Sequence, residues 1–265
     1  MAHFELCESV ILGKIEIVKS ILEQKTINPN FILNGYSPLG LATELKDTEM
    51  IKILTQYGAY PEESRFSPLH LAVASENEDN VKYFLDRGAF INDVYFRNGL
   101  TPLFLAVSLK KINIAELLLT KGADPNVCNA DKVSPLHLAV RSKQKDIINL
   151  LINNGAAINQ EDGYGCTPLI IASSEGDVEI VEYLLDQGAD IDYVSRKVAT
   201  ALICAVRSRN VDTVRLLLDK GANVDLSFTF NGQKYTTVDF LKACDVDVRS
   251  VSFVVLLTQK ILTRV

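Results

Sequence analysis

Histidine, cysteine and carboxylate side chains are the residues of this chain whose types could support catalysis or metal binding. There are three histidines and five cysteines, spread over the whole sequence. No Cys-x-x-Cys pair, phosphate-binding glycine loop or Ser/His/Asp set stands out. His70 and His137 occupy the same place in a recurring hexapeptide two units apart, further than the ~8–10 Å between packed helices, so they cannot share a metal ion. We therefore predict structural histidines, no enzymatic activity, no metal and no cofactor.

The recurring hexapeptide, which reads Ser134-Pro135-Leu136-His137-Leu138-Ala139 in one copy, is a helix start. A Ser or Thr hydroxyl can cap free backbone N–H groups, and Pro suits the first helical position because its missing N–H would be unpaired there. Successive starts are separated by 30, 34, 33, 33 and 33 residues. The six copies begin at Ser37, Ser67, Thr101, Ser134, Thr167 and Thr200.

A second helix follows each hexapeptide. In the copy starting at Ser134, the apolar residues from Ile147 to Ile152 lie close to helical period, and Asn154-Gly155 ends the run. Gly at that point supplies a left-handed C-terminal residue. The equivalent glycines are Gly58, Gly88, Gly122, Gly188 and Gly221.

The period and the motif resemble the ankyrin repeat. The resemblance implies an all-α solenoid of helix-turn-helix units with projecting hairpin loops, about eight units including degenerate end repeats. It implies one domain over residues 1–265, because a single unit cannot bury its own apolar face. The predicted units lie near residues 3–33, 34–64, 65–97, 98–130, 131–163, 164–196, 197–232 and 233–265.

The composition of the chain indicates which ligands and which cellular compartment to expect. Its 265 residues are 48% hydrophobic and carry a net charge of −6, with no long basic run, which argues against general nucleic-acid binding. No apolar run is long enough to span a bilayer, and the N-terminus lacks a secretory pattern. An odd number of scattered cysteines indicates a reducing compartment. We expect a cytoplasmic or nuclear protein that binds no membrane. Among the cysteines, Cys204 is expected in the core, and Cys128 and Cys166 are expected in loops.

The resemblance also implies where a protein partner would bind, namely the loop tips and the exposed side of the first helix of each unit. Aromatic residues are candidates in the N-terminal half and basic residues in the C-terminal half, and both types often dominate binding energy. This distribution suggests an extended partner segment that is apolar at one end and acidic at the other; alternatively, the arginines pair with local carboxylates. The candidates are Tyr36, Phe66, Tyr95, Arg97, Arg141, Tyr164, Arg196, Lys197, Arg207 and Arg209.

Two asparagines match a modification pattern of the family. Asn126 and Asn159 end a Leu-(seven residues)-Asn pattern, which the resemblance links to hydroxylation by an asparaginyl hydroxylase. The alternative is that these side chains only form hydrogen bonds between neighbouring loops.

The C-terminal segment departs from the repeat pattern. Asn231-Gly232 predicts a tight hairpin turn, and the helix expected over residues 249–262 is apolar on more than one face. Such a helix could be covered by a second copy of the chain, by a partner or by further chain. The leading hypothesis is a non-enzymatic protein-interaction scaffold. A substrate adaptor for a ubiquitin ligase and a host-directed effector of a parasite, virus or intracellular bacterium are the alternatives.

Overall fold

The computed structural model of the chain describes residues 2–59, 67–94, 99–195, 199–230 and 233–236; for residues 227–230 and 233–236 the backbone alone is described. It consists of helix pairs grouped into two compact units, residues 1–130 and residues 131–265. The boundary between the units coincides with one of the predicted repeat boundaries. In each pair we call the first helix A and the second helix B.

The unit of residues 1–130 contains four helix pairs among its described residues. The A helices pack side by side in chain order, and each A helix packs on its own B helix. The pairs are α1 (Ala2–Ile11) with α2 (Ile15–Glu23), α3 (Pro38–Glu44) with α4 (Thr48–Gln56), α5 (Pro68–Ala74) with α6 (Glu78–Asp86), and α7 (Pro102–Ser108) with α8 (Ile112–Thr120).

The unit of residues 131–265 contains three helix pairs in its described part, followed by a β-hairpin. Here too consecutive A helices are neighbours, and α12 also packs on α14. The elements are α9 (Pro135–Arg141), α10 (Lys145–Asn153), α11 (Pro168–Glu175), α12 (Val178–Asp186), α13 (Ala201–Arg207), α14 (Val211–Asp219), β1 (Ser227–Phe230) and β2 (Gln233–Thr236).

The helix starts follow the predicted capping chemistry. Five of the six hexapeptide hydroxyls accept a hydrogen bond from the backbone N–H three residues on, as Thr101 does from Phe104 at 3.1 Å; Ser67 does not. Thr200 caps α13 although Ala201 replaces the usual Pro. The glycines that end the B helices from α4 to α14 all have φ between 85° and 95°, which confirms the left-handed terminus expected there.

The core is made by the inward faces of the helices. Each A helix from α3 to α13 buries the Leu at its second position and the Ala at its fifth, such as Leu136 and Ala139 in α9. The small Ala side chain lets neighbouring A helices approach closely. Cys204 is fully buried in α13, as expected, while Cys128 and Cys166 are half-buried.

The hairpin pairs β1 and β2 antiparallel, with Ser227 opposite Thr236 and Phe230 opposite Gln233. This register leaves two residues for the connection, as the Asn231-Gly232 signal predicts, but those two residues lie outside the described part of the chain. The helix predicted over residues 249–262 also lies outside it.

Candidate functional site

The turn over residues 160–166, which we call the Tyr164 turn, lies in the unit of residues 131–265 between α10 and α11. Its centre is the buried carboxylate of Asp162, whose Oδ1 accepts hydrogen bonds from the backbone N–H groups of Tyr164 and Cys166, both at 2.9 Å. Gly163 donates its N–H to the carbonyl oxygen of Asp131 at 2.8 Å. The turn is thus closed on itself and tied to the preceding loop.

His137 in α9 holds the two ends of the same turn. Its Nε2 lies 2.9 Å from the carbonyl oxygen of Gln160 and 3.0 Å from that of Cys166, so Nε2 carries the proton and donates. Nδ1 then accepts from the hydroxyl of Ser134 at 2.7 Å. Burial lowers the pKa of His137, against the raising effects of Asp162 and of the two carbonyl contacts. The structural role predicted for this histidine is confirmed in its contacts.

Arg141 ends α9 and reaches the Tyr164 turn. Its Nη2 donates to Asp162 Oδ2 at 2.8 Å; the Arg141 side chain is 39% exposed and that of Asp162 is fully buried. The alternative reading of the sequence, in which an arginine pairs with a local carboxylate, therefore applies to Arg141. The sequence signal for this turn was the Asp162-Gly163 dipeptide, which is typical of turns.

Tyr164 itself is presented to solvent. Its side chain is 62% exposed, although the backbone around it is held by Asp162. An exposed tyrosine on a fixed turn offers a large contact area with few torsions left to order.

Arg207 and Arg209 lie at the end of α13, and both are exposed. Within the described part of the chain neither forms an ion pair, in contrast to Arg141. Arg209 has a left-handed backbone conformation, with φ of 60°. Next to them the hydroxyls of Ser174 and Ser208 are 3.2 Å apart, linking the ends of α11 and α13.

Two lysines near Arg141 are held in ion pairs within the protein. Lys143 pairs with Asp177 at 3.6 Å, and Lys145 pairs with Glu179. Burial raises the pKa of Glu175, against the lowering effect of Lys143 and Arg141. Arg207 and Arg209 therefore differ from these groups, because they place two exposed positive charges without an ion pair in the described residues at one end of α13.

In the unit of residues 1–130, Tyr36 is half-buried and exchanges two backbone hydrogen bonds with Leu33, at 2.9 and 3.1 Å. Two leucines that sequence reasoning missed, Leu45 and Leu109, end α3 and α7 and are exposed at the same position of their repeats. Both leucines lie three residues after their hexapeptide, at a position where the other copies carry Ser or Glu. This substitution of an apolar for a polar residue is the signal in the sequence that could have found them.

Several predicted contact residues lie outside the described part of the chain, and their role stays a prediction. They are Phe66, Tyr95, Arg97, Arg196 and Lys197, together with the helix expected over residues 249–262.

The asparagines of the modification pattern are half-buried. Asn159 Oδ1 accepts the backbone N–H of Asp190 in the next repeat at 2.9 Å, and the backbone N–H of Asn126 donates to Asp124 Oδ1 at 2.8 Å. The loop-to-loop hydrogen bond expected as the alternative is therefore present at Asn159. Hydroxylation of either residue stays a prediction.

The described residues contain no group of three or more His, Cys, Asp or Glu side chains placed to hold a metal ion. Burial raises the pKa of the thiols of Cys7 and Cys166, and that of Cys204 to about 11, so these thiols are protonated at neutral pH. Across the same described ranges, no helix is both long and apolar enough for a membrane span.

Comparison with known proteins gives concordant matches. A family model for ankyrin repeats matches residues 6–95, 64–129, 92–162 and 136–228. Ankyrin repeat protein FPV240 of Fowlpox virus (strain NVSL) is 42% identical over 135 residues, which are 50% of this chain and 33% of that protein. The human transient receptor potential cation channel subfamily A member 1 is 28% identical over 137 residues, 50% of this chain and 12% of the channel. The chain thus matches a third or less of the length of these relatives.

Among solved structures, the crystal structure of the ankyrin repeat domain of Bcl-3, a member of the IkappaB protein family, superposes with a TM-score of 0.73. The sequence identity is 26%, and the match covers 80% of this chain and 97% of that domain.

Proposed function

The chain belongs to the ankyrin-repeat family, and from that premise we propose that it is a non-enzymatic scaffold that binds a partner protein through the A-helix ends and loop tips of residues 131–230. Ankyrin repeats mediate protein–protein interactions. The observation that carries the proposal is the pair of exposed arginines, Arg207 and Arg209, without an ion pair in the described part of an acidic chain.

The positive charge of this surface favours binding of an acidic partner segment. Two guanidinium groups at one helix end can each donate several hydrogen bonds to carboxylates. Tyr164 supplies an aromatic contact in the same unit. Arg196 and Lys197, named from the sequence, belong to the same proposal, as do Tyr36, Phe66, Tyr95 and Arg97 for an apolar part of the partner.

The experiment is affinity capture from a cytosolic extract with identification of the bound protein by mass spectrometry, followed by titration of that protein. Arg207→Glu and Arg209→Glu should each weaken binding by roughly tenfold or more, because a like charge replaces an attractive one. Arg215→Glu is the matched control, since Arg215 is exposed on the B helix of the same repeat. Equal effects of Arg207→Glu and Arg215→Glu would refute the proposed surface.

Salt dependence supplies an independent check. Raising the ionic strength shortens the screening length to about 8 Å at 0.15 M, so binding driven by Arg207 and Arg209 should weaken with added salt. Affinity that does not change with salt would contradict an acidic partner.

The viral relative supports a second candidate. Identity of 42% to a Fowlpox virus protein over half of the chain favours a host-directed effector, in which the captured partner is a host protein. A ubiquitin-ligase adaptor would instead require docking through residues 249–262, and removal of residues 249–265 tests it directly. For either role we propose a reducing compartment, cytoplasmic or nuclear, which agrees with the free thiols of the four described cysteines.

A further inference from the structure

We infer that Arg141 is a positioning residue that holds the Tyr164 turn in its binding conformation through Asp162, and that it does not itself contact the partner. The inference rests on the proposed function, since it assigns Tyr164 as an anchor of the proposed surface. It also changes the role that the sequence suggested for Arg141.

The first argument is the geometry of the ion pair. Arg141 Nη2 lies 2.8 Å from Asp162 Oδ2, while the other carboxylate oxygen, Oδ1, accepts the N–H groups of Tyr164 and Cys166. One carboxylate therefore joins an A-helix end to the backbone on both sides of Gly165. Charge-assisted hydrogen bonds of this kind are about twice as strong as neutral ones.

The second argument is burial. The Asp162 side chain is fully buried, so its charge has no access to water and depends on Arg141 for a counter-charge. Removing one member of a buried pair leaves an uncompensated charge, which is a large penalty. A partner carboxylate that drew the guanidinium away from Asp162 would leave Asp162 in that state, so the ion pair opposes such a movement of Arg141.

The third argument is the close packing of the turn. A Cβ on Gly163 would lie 2.4 Å from the carbonyl oxygen of Asp131, so this position accepts only glycine without a shift of the backbone. The turn thus has backbone, side-chain and steric restraints, and the Tyr164 side chain alone extends from it into solvent. Fixing a contact residue before binding reduces the entropy lost on association.

The first test is amide hydrogen exchange in the free protein, which needs no partner. In Arg141→Met the amides of Tyr164 and Cys166 should exchange roughly tenfold faster or more, since they open locally once Asp162 loses its counter-charge. The Val181 amide in α12, which donates to the Asp177 carbonyl oxygen, reports global opening and should not change.

Two further variants complete this test. Arg141→Lys keeps a positive charge and should recover part of the protection. Arg207→Met removes an arginine from the equivalent position of α13 and should leave both amides unchanged. Exchange at Tyr164 that is unaffected in Arg141→Met, or that rises equally at Val181, would overturn the local role.

The second test is a double-mutant cycle with a defined probe. The probe is a peptide selected from a random library on the wild-type protein and retained for its dependence on Tyr164. If Arg141 acts through Tyr164, Arg141→Met weakens the peptide in the wild type and has no further effect in Tyr164→Ala. Additive losses would mean that Arg141 contacts the peptide and would overturn the inference.

The two tests separate the inference from the proposed function. If no selected peptide depends on Tyr164, the anchor role of Tyr164 is refuted whatever the exchange data show. If peptides depend on Tyr164 but its amide is unaffected by Arg141→Met, the proposed surface stands and the positioning role of Arg141 is refuted.

Discussion

Gly176 and Asn210 come from consecutive repeats and meet in a contact that leaves no room for a side chain on Gly176. A Cβ at that position would lie 2.7 Å from both Cγ and Oδ1 of Asn210. The Asn210 Nδ2 donates to the carbonyl oxygens of Ser173 and Ser174, at 3.1 and 2.8 Å, and so caps the end of α11 from the next repeat. Gly176 also needs its left-handed conformation, with φ of 74°.

Gly176→Ala should therefore lower the free energy of unfolding by about 1–3 kcal/mol, because strain in the left-handed region adds to displacement of the Asn210 cap. Gly188→Ala is the matched control, since its φ is 89° and nothing lies within 4 Å of its Cβ position. Urea denaturation of both variants isolates the contact with Asn210. A loss that is no greater for Gly176→Ala than for Gly188→Ala would contradict this account.

Asn80 is a weak point in the core of the unit of residues 1–130. Its side chain is fully buried in α6, and neither its Oδ1 nor its Nδ2 has a hydrogen-bond partner among the described residues. The equivalent position carries Ile114, Ile147 and Ile180 in later repeats. The sequence of this repeat therefore places an amide where four other repeats carry an apolar side chain, Met50 being the fourth; Thr213 is a second buried polar side chain at this position.

Asn80→Ile should raise the free energy of unfolding by about 1–3 kcal/mol, which is the penalty for burying an unsatisfied polar group. The reverse change at the same repeat position, Ile147→Asn, should destabilise the protein. Thermal and urea unfolding of the two variants check this pair of expectations. Destabilisation by Asn80→Ile would show that the amide has a stabilising contact.

The histidines make stability depend on pH. Burial lowers the pKa of both His70 and His137 from the ordinary value of 6.5, so the unfolded chain binds more protons than the folded chain below that pH. The stabilisation is fully present above pH 6.5 and is lost as pH falls from there through the lowered folded-state values. The slope is up to about 1.4 kcal/mol per pH unit for each proton taken up on unfolding.

Urea denaturation between pH 7 and pH 5 should show this loss, and His137→Gln should reduce its slope. His70→Gln should reduce the slope in the same way, because burial also lowers the pKa of His70. An undiminished slope in His137→Gln would mean that other groups cause the pH dependence.

Lys110 adopts a left-handed conformation, with φ of 58°, in the turn between α7 and α8. The left-handed region costs a residue with a side chain about 1–2 kcal/mol, and the extra chain entropy of Gly offsets about half of that. Lys110→Gly should therefore raise the free energy of unfolding by about 0.5–1 kcal/mol. Lys82→Gly, inside α6, should lower it by about 1 kcal/mol, and similar effects of the two substitutions would contradict the conformational argument.

Local chemistry was readable from the sequence alone. The Ser or Thr that begins each hexapeptide predicted the caps of the A helices, which five of the six form, and the glycines after the B helices predicted left-handed termini, because both features depend on residues within one turn of each other. The apolar positions predicted which faces are buried for the same reason. Asn80 is an exception to the apolar rule, since its polar side chain is buried and only its position in the repeat indicates this.

The candidate surface depended on contacts between repeats. Arg141, Arg207 and Arg209 looked equivalent in the sequence, but only Arg141 meets a buried carboxylate, which is 21 residues further along the chain. No local rule predicts that pairing, because it arises when the Tyr164 turn folds back over the end of α9.

The sequence by itself therefore determined the repeat, the helix limits and the family, since these follow from short-range capping and from apolar periodicity. Only the tertiary structure decided which charges remain available. Packing of adjacent repeats buries Asp162 and engages Arg141, while Arg207 and Arg209 stay exposed at the end of α13. The physical reason is that the free energy of a charge depends on its burial and on its neighbours across repeats, which spacing along the chain does not specify.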